Sequence, residues 1–349
     1  MNNERSIKFE VFRGTAKFLS PLMNMNEVHL SIEHRKDPLT GRICILSEGL
    51  RGKEKVLFGE TDSRLLEEIV DKSANCFMCS ENVEKSTPKY SPDVLPEGRL
   101  RKGEAVLFPN LFPTSEYHAV VRLTEDHFRN LSQFSGRDLT DGFELAVHFI
   151  KEIIKKSNLD FATINGNFLF PSGASVVHPH FQILVGKIAS TIHQQLLSSS
   201  QKYYQNTGKN YWLELTKAEK SLNQRFISEG EHLIWLTSFA PIGNHEIVAI
   251  VKEASNFQEI ALDTLEELGK GMARILKYYE DKGISTYNFS FYSGPLLNRV
   301  DSFRCVFRII SRPNIYQNYR NDDYFLQKLL GSEIVILWPE DLAKEVYVP

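Results

Sequence analysis

Apolar residues recur at helical spacing in two long stretches of the chain: Leu139, Phe143, Ala146, Phe149, Ile150 and Ile153, then Leu265, Leu268, Met272, Ile275, Leu276 and Tyr279. Residues three and four apart share one face of a helix, so each stretch predicts an amphipathic helix laid on a core. The first is approached through GEAVLFPNLFPTSEYHAVVRL (103–123) and the second through GEHLIWLTSFAPIGNHEIVAIV (230–251). Both begin Gly-Glu, run through an apolar strand and a turn, and reach a histidine, His118 or His245, at the same spacing. Two more strand-like segments follow each helix, ATINGNFLF and HPHFQILV in one case, YNFSFYSG and FRCVFRII in the other. The pattern predicts an internal duplication, two copies of a strand, strand, helix, strand, strand unit, and so an α+β chain. Between the copies, 187–230 reads as a connection with a helix over 188–201 and a surface loop at YYQNTGKNYW (203–212). The chain ends on a short helix started by Pro339.

The stretch GASVVHPHFQILV (173–185) reads as a strand, and in a strand alternate side chains share a face. His178, His180 and Gln182 therefore look one way, while Pro179, Phe181 and Ile183 look the other. The second copy carries Phe303, Cys305 and Phe307 in the segment taken as equivalent. Only the first copy keeps a polar row, so the chemistry is expected there.

Composition narrows the setting. The chain has 349 residues, room for two domains or one doubled domain, and 42% hydrophobic residues, enough for a sizeable core. With 41 basic against 44 acidic residues there is no broad field for nucleic acid or an anionic membrane, so any phosphate is bound locally. No apolar run reaches the ~20 residues needed to span a bilayer, and MNNERSIKFEVF lacks the apolar centre of a signal peptide, so a cytoplasmic protein is expected. Of four cysteines, Cys44 and Cys305 stand alone, whereas Cys76 and Cys79 form a C-x-x-C suited to metal or redox chemistry.

A lone C-x-x-C is half of a tetrahedral zinc site, and it gains weight if histidines complete it. His127 and His178 are the natural candidates; His118, shared in pattern with His245, suits a fold role, and His148 sits mid-helix. A single buried histidine is most often a satisfied core residue, but two on one face with a glutamine are harder to dismiss. If His178 is pinned by metal, its neighbour His180 is held on a rigid element, as a nucleophile or general base must be, and Gln182 can donate to a phosphoryl oxygen. Upstream, Asn165-Gly-Asn167 and Ser172-Gly-Ala-Ser175 offer small residues and donors of the kind that form an anion nest. Neither a P-loop nor a dinucleotide fingerprint is present to do that work.

EHRKDPLTGRICILSEGLR, the CFMC followed by Thr-Pro, the Asn-Leu-Phe of 110–112 and GASVVHPHFQ together resemble the galactose-1-phosphate uridylyltransferase family, a doubled member of the histidine-triad superfamily. The resemblance runs from about Glu33 to the end and implies two tandem histidine-triad-like units, each an antiparallel sheet packed with a long helix. It implies a catalytic half over 1–190 and a degenerate half over 191–349 that contributes sugar contacts, in members of the family often across a homodimer interface. It further implies a structural zinc held by Cys76, Cys79, His127 and His178, His180 as nucleophile with Gln182 beside it, and nucleotide and phosphate contacts from Asn110, Phe112, Asn167, Gly173 and Ser175. Glu333 matches the family's sugar-binding glutamate, but Gln327, Ser332 and Pro339 depart from the family's lysine, tyrosine and glutamine. The implied activity is transfer of a nucleoside monophosphate, UMP first, between a nucleotide sugar and a hexose 1-phosphate through a nucleotidyl-histidine. The alternatives are an ADP-glucose-type phosphorylase using inorganic phosphate, an inactive nucleotide-binding protein, or a redox protein using Cys76 and Cys79.

Overall fold

The computed structural model describes residues 7–348, which leaves the first half-dozen residues of the opening segment outside the description. Strands β1 (Glu10–Ser20), β2 (Asn26–Lys36) and β3 (Ile43–Ser47) form an antiparallel meander, and the short helices α1 (Glu54–Phe58), α2 (Ser63–Lys72) and α3 (Val83–Ser86) follow. The first copy then runs β4 (Leu100–Lys102), β5 (Ala105–Pro109), β6 (Tyr117–Arg122), α4 (Gly136–Ile154), β7 (Phe161–Phe168) and β8 (His180–Gly186). After α5 (Thr191–Thr207) and α6 (Tyr211–Leu222), the second copy runs β9 (Phe226–Glu229), β10 (Leu233–Thr237), β11 (Ile247–Val251), α7 (Leu262–Asp281), β12 (Tyr287–Tyr292) and β13 (Val306–Ser311). Last come α8 (Phe325–Lys328), β14 (Glu333–Val335), which pairs parallel to β3, and α9 (Pro339–Glu345).

The two units do not keep separate sheets. They share one ten-stranded sheet in the order β4-β5-β6-β8-β7-β12-β13-β11-β10-β9, joined where β7 pairs with β12. Both long helices lie on one face, where Phe143, Phe149, Phe181, Phe289, Phe307, Leu268 and Met272 make the main core. The helices approach closely because Gly269 has no side chain: a Cβ there would sit 2.7 Å from the Gly136 carbonyl oxygen. Ser135 starts α4 by accepting from the Asp138 N–H while Asp138 accepts from the Ser135 N–H, closing two otherwise orphan donors.

Asn165 of β7 and Ser290 of β12 face each other across the central pairing, their side chains bonded at 2.8 Å, and the pseudo-twofold passes between them. Asn165 pairs with Gln182 and Ser290 with Arg308, so Arg308 is the counterpart of Gln182. His180 then matches Val306 and His178 matches Arg304; Phe303, Cys305 and Phe307, expected there from the sequence, are one residue out of register. A one-residue slip turns a strand residue to the opposite face, which is why Phe307 packs among the core aromatics instead.

Opposite the long helices, the two halves differ. Over the second half, α5 and α6 cover the sheet: Leu196, Tyr211 and Trp212 pack on Leu236, Val248, Ile250 and Val306. The segment expected as a surface loop therefore holds only a brief turn between two helices, and Tyr211 and Trp212 are core residues. Periodicity misses this because the polar run Gln205-Asn206 ends one helix while the apolar pair enters a different one. Trp212 is 1% exposed, donates its indole N–H to Ser200 Oγ at 3.1 Å and meets Phe303 edge-on. Trp212→Ala is expected to cost about 3–5 kcal/mol, read as a lower urea midpoint at unchanged slope. Over the first half, among the described residues, only the short α3 reaches this face, where Val83 meets Val106, Phe108 and Val120, and beside it lie His180, Gln182, Asn165 and Asn167.

Candidate functional site

Four ligand atoms converge beside the start of β8. The donor atoms of Cys76, Cys79, His127 and His178 all lie within 4.8 Å of one another. Two thiols and two imidazoles at such spacing suit tetrahedral zinc, and the surroundings of each histidine fit as well. His178 turns Nδ1 to the cysteines, 3.5 Å from Cys76 Sγ, and donates Nε2–H to the Thr124 carbonyl at 2.8 Å. His127 turns Nδ1 to Cys79 Sγ at 3.5 Å and lies with Nε2 3.1 Å from Ser73 Oγ, a hydroxyl already donating to the Ile69 carbonyl at the end of α2. Each ring thus has its second nitrogen committed to an outer partner, the arrangement that fixes a metal-ligating tautomer. Met78 N–H points at Cys76 Sγ, as a thiolate would favour.

His178 precedes the strand. Regular pairing begins at His180 because Pro179 has no N–H to offer, although its carbonyl still accepts from Leu123. His178 is fully buried; His180 is 7% exposed and lies on the face away from the two long helices. His180 Nδ1–H donates to the His178 carbonyl at 2.8 Å, which leaves Nε2 with its lone pair. Burial holds the His180 imidazole toward its neutral form.

Gln182, two residues on, shares this face with Asn165 and with Val120 of β6. Asn165 Nδ2 donates to Thr163 Oγ1. Asn167 Oδ1 accepts from Asn288 Nδ2 at 2.6 Å, and Arg312 Nη1 donates to Asn288 Oδ1 at 2.5 Å while pairing with Asp322. A polar chain thereby runs from the first copy into the second. Asn110 Oδ1 accepts from the Phe112 N–H at 2.8 Å, capping the β5–β6 turn, and leaves the Phe112 ring 80% exposed at the rim.

The glycines expected to floor an anion nest do other work. Gly166 faces the helical core, where a Cβ would strike the Phe289 ring at 2.2 Å. Gly173 supplies a left-handed turn at φ +89°, and its N–H and that of Ala174 are spent on the Phe170 and Leu169 carbonyls. Ser175 is exposed, with no side-chain hydrogen bond among the described residues.

Glu333 opens β14 next to Cys44, accepting from Gln327 Nε2 at 2.7 Å with Arg42 3.8 Å away. Gln327, which departs from the family's lysine, is thus a direct polar partner of the glutamate. Pro339 instead starts α9, and its carbonyl accepts from Thr237. Burial, opposed by the Gln327 bond, pushes the Glu333 carboxyl up to about 7. An acid whose folded pKa lies above its unfolded value binds its proton more tightly when folded, so this group weakens the fold as pH rises from about 4.5 through 7. Glu333→Gln is expected to raise stability over wild type by roughly 1–3 kcal/mol at pH 8 and by little at pH 5. Paired urea melts at the two values check this; a pH-independent difference would contradict it.

Sequence reasoning passed over His118 as a fold residue shared with His245. The register pairs His118 with Glu246 across the pseudo-twofold, and Glu246 binds Arg308 Nη1 at 3.0 Å just as His118 binds Gln182 at 2.9 Å. His245 lies before β11 with its backbone at φ +52° and bonds Ser311. His148 is exposed on α4. A cavity of about 960 Å³ lined by Phe58, Phe128, Phe168, His245 and Tyr278 lies elsewhere and includes none of the groups around His180.

No family model matches the chain. It is 31% identical over 316 residues to an uncharacterized protein of Archaeoglobus fulgidus, covering 90% of this chain and 91% of that one. It is 24% identical over 289 residues to the ADP-glucose phosphorylase of Arabidopsis thaliana, covering 76% and 79%. Among solved structures it resembles the Arabidopsis ADP-glucose phosphorylase with bound ADP-glucose, at a TM-score of 0.69 and 20% identity over 90% of this chain and 98% of that one. It also resembles a uridylyltransferase, at a TM-score of 0.62 and 17% identity over 70% and 84%.

Proposed function

Because the chain belongs to one family with the Archaeoglobus fulgidus protein and carries the doubled histidine-triad fold of the galactose-1-phosphate uridylyltransferase family, we propose that it transfers a nucleoside monophosphate from a nucleotide sugar through His180. The observation that carries the reading is a histidine with Nδ1–H tied to the backbone, its Nε2 lone pair free, and Gln182 beside it on the open face of the sheet. Nε2 attacks the α-phosphorus, the bond from that phosphorus to the bridging oxygen breaks, and a sugar 1-phosphate leaves with the bonding electrons. The imidazole now bears positive charge, which the His178 carbonyl stabilises at Nδ1–H. An oxygen of an acceptor phosphate then attacks the same phosphorus, and the electrons of the phosphorus–nitrogen bond return to Nε2.

Residues 1–190 form the catalytic half in this reading, with Asn110, Phe112 and Asn167 toward the nucleoside, Gly173 shaping the turn that presents Ser175 to the phosphates, and Gln182 donating to the transferred group. Residues 191–349 supply Glu333 for the sugar, where a carboxyl near its midpoint at neutral pH can donate to or accept from a hydroxyl. Zinc on Cys76, Cys79, His127 and His178 would fix the turn before His180. Four free cysteines suit a cytoplasmic setting, and no helix among the described residues is long and apolar enough to cross a membrane. A homodimer closing over the exposed Phe112 rim belongs to the same reading.

Two acceptors fit this intermediate. A hexose 1-phosphate makes the protein a UMP transferase; inorganic phosphate makes it a phosphorylase, a reading favoured by likeness to the Arabidopsis enzyme named for ADP-glucose. Isotope exchange tests the shared mechanism: labelled glucose 1-phosphate should enter UDP-glucose or ADP-glucose with no second acceptor present. Net turnover without such exchange would mean direct displacement and sink the double-displacement reading. Comparing phosphate with galactose 1-phosphate as acceptor then separates the two activities.

A further inference from the structure

His118 lies outside the metal-binding and transferring groups, yet its ring faces the site from β6 and touches two of its amides. The Thr114 backbone N–H, 3.2 Å from Nδ1, can only donate, so Nδ1 must accept and the ring proton belongs on Nε2. Nε2–H then donates to Gln182 Oε1 at 2.9 Å, which fixes which end of that amide is oxygen. Thr114 Oγ1 lies 3.4 Å from the same Nδ1. Asn110 Nδ2 lies 3.1 Å from Nε2, but the Asn110 oxygen is held by Phe112, and with the ring proton committed to Gln182 its NH₂ remains available to a ligand. Burial lowers the His118 pKa, consistent with a neutral ring.

We propose that His118 is a positioning residue that holds the Gln182 amide with its NH₂ toward the phosphoryl group in transfer, a role that rests on His180 being the nucleophile. An unconstrained glutamine could present oxygen to the anionic phosphoryl group as readily as NH₂, and repulsion would replace donation as charge develops there. The counterpart in the second half has Arg308 held by Glu246 under Tyr211 and Trp212, so the orienting contact survives in form where no ligand face remains.

Two near-isosteric variants separate the ring's contacts. His118→Gln reaches the position of Nε2 and can still donate to Gln182; His118→Asn reaches only the position of Nδ1 and keeps the Thr114 contact. The readout is single-turnover labelling of the protein with UDP-glucose or ADP-glucose by mass, across donor concentrations. His118→Asn should slow labelling about 10- to 100-fold with half-saturation shifted less than about threefold, and His118→Gln should recover most of the rate. In a Gln182→Ala background, His118→Asn should cost less than about threefold more. Equal losses with and without Gln182, or a change confined to half-saturation, would overturn the assignment while leaving His180 standing. A folded, zinc-replete wild type that turns over either donor but takes no label would overturn both.

Discussion

Replacing His180 by Ala is expected to lower turnover by about four orders of magnitude or more, while zinc content stays at one per chain and the melting midpoint moves little. The size follows from the route: without Nε2 there is no covalent intermediate, and what survives is the orienting effect of the remaining donors. The small structural cost follows from position. His180 lies clear of the long-helix core, on the side of the sheet where α5 and α6 do not reach, and the change removes one hydrogen bond, to the His178 carbonyl, worth about 1 kcal/mol. Gln182→Ala should be milder, about 10²- to 10³-fold in rate, because it removes one donor and leaves the nucleophile. Wild-type turnover in His180→Ala would show that transfer does not pass through this ring.

The second large effect concerns the metal. Stripping zinc with a strong chelator, or substituting Cys79→Ser, is expected to cost several kcal/mol of stability and to abolish activity in step with zinc loss. The four ligands come from the turn after α2, the segment before α4 and the residue two before His180, so the ion would tie three separate stretches at one point. Without it, two thiols and two imidazoles lie close together with only weak contacts to hold the three stretches to one another. Re-addition of zinc to the chelated wild type should restore the midpoint and the rate together; a chelated protein with unchanged midpoint and full activity would contradict a structural ion.

Much of the site could be read from the sequence because its chemistry is local. Cys76, Cys79, His178 and the His180, Gln182 pair sit in short motifs whose residue types narrow their use, and the fold brings them and His127 to one end of β8. The duplication was equally legible in the paired helices and strands. Its register was not. Both copies carry Gly-Glu ahead of the second strand, but Gly103 and Glu104 are the two residues turning from β4 to β5, whereas Gly230 still pairs with Leu233 and the turn falls on Glu231 and His232. Matching the dipeptides therefore shifts the second copy by one residue, which hid Glu246 as the counterpart of His118; β13, matched separately, is set one residue early, which hid Arg308 as the counterpart of Gln182. The burial of Tyr211 and Trp212 was hidden for another reason: what covers a sheet is set by tertiary packing, and a polar-looking connection gives no sign of the face it closes. His118 was legible as a residue but not as a partner, since its role rests on a contact across two strands.

The most direct test of nucleotidyl transfer through His180 is intact-protein mass spectrometry after incubation with UDP-glucose, UDP-galactose or ADP-glucose without acceptor, followed by peptide mapping. The account predicts one nucleoside monophosphate per chain with at least one donor, carried on the peptide containing His180, discharged by adding the acceptor and absent from His180→Ala. A label carried on another residue, or steady turnover by a protein that never takes a label, would contradict it.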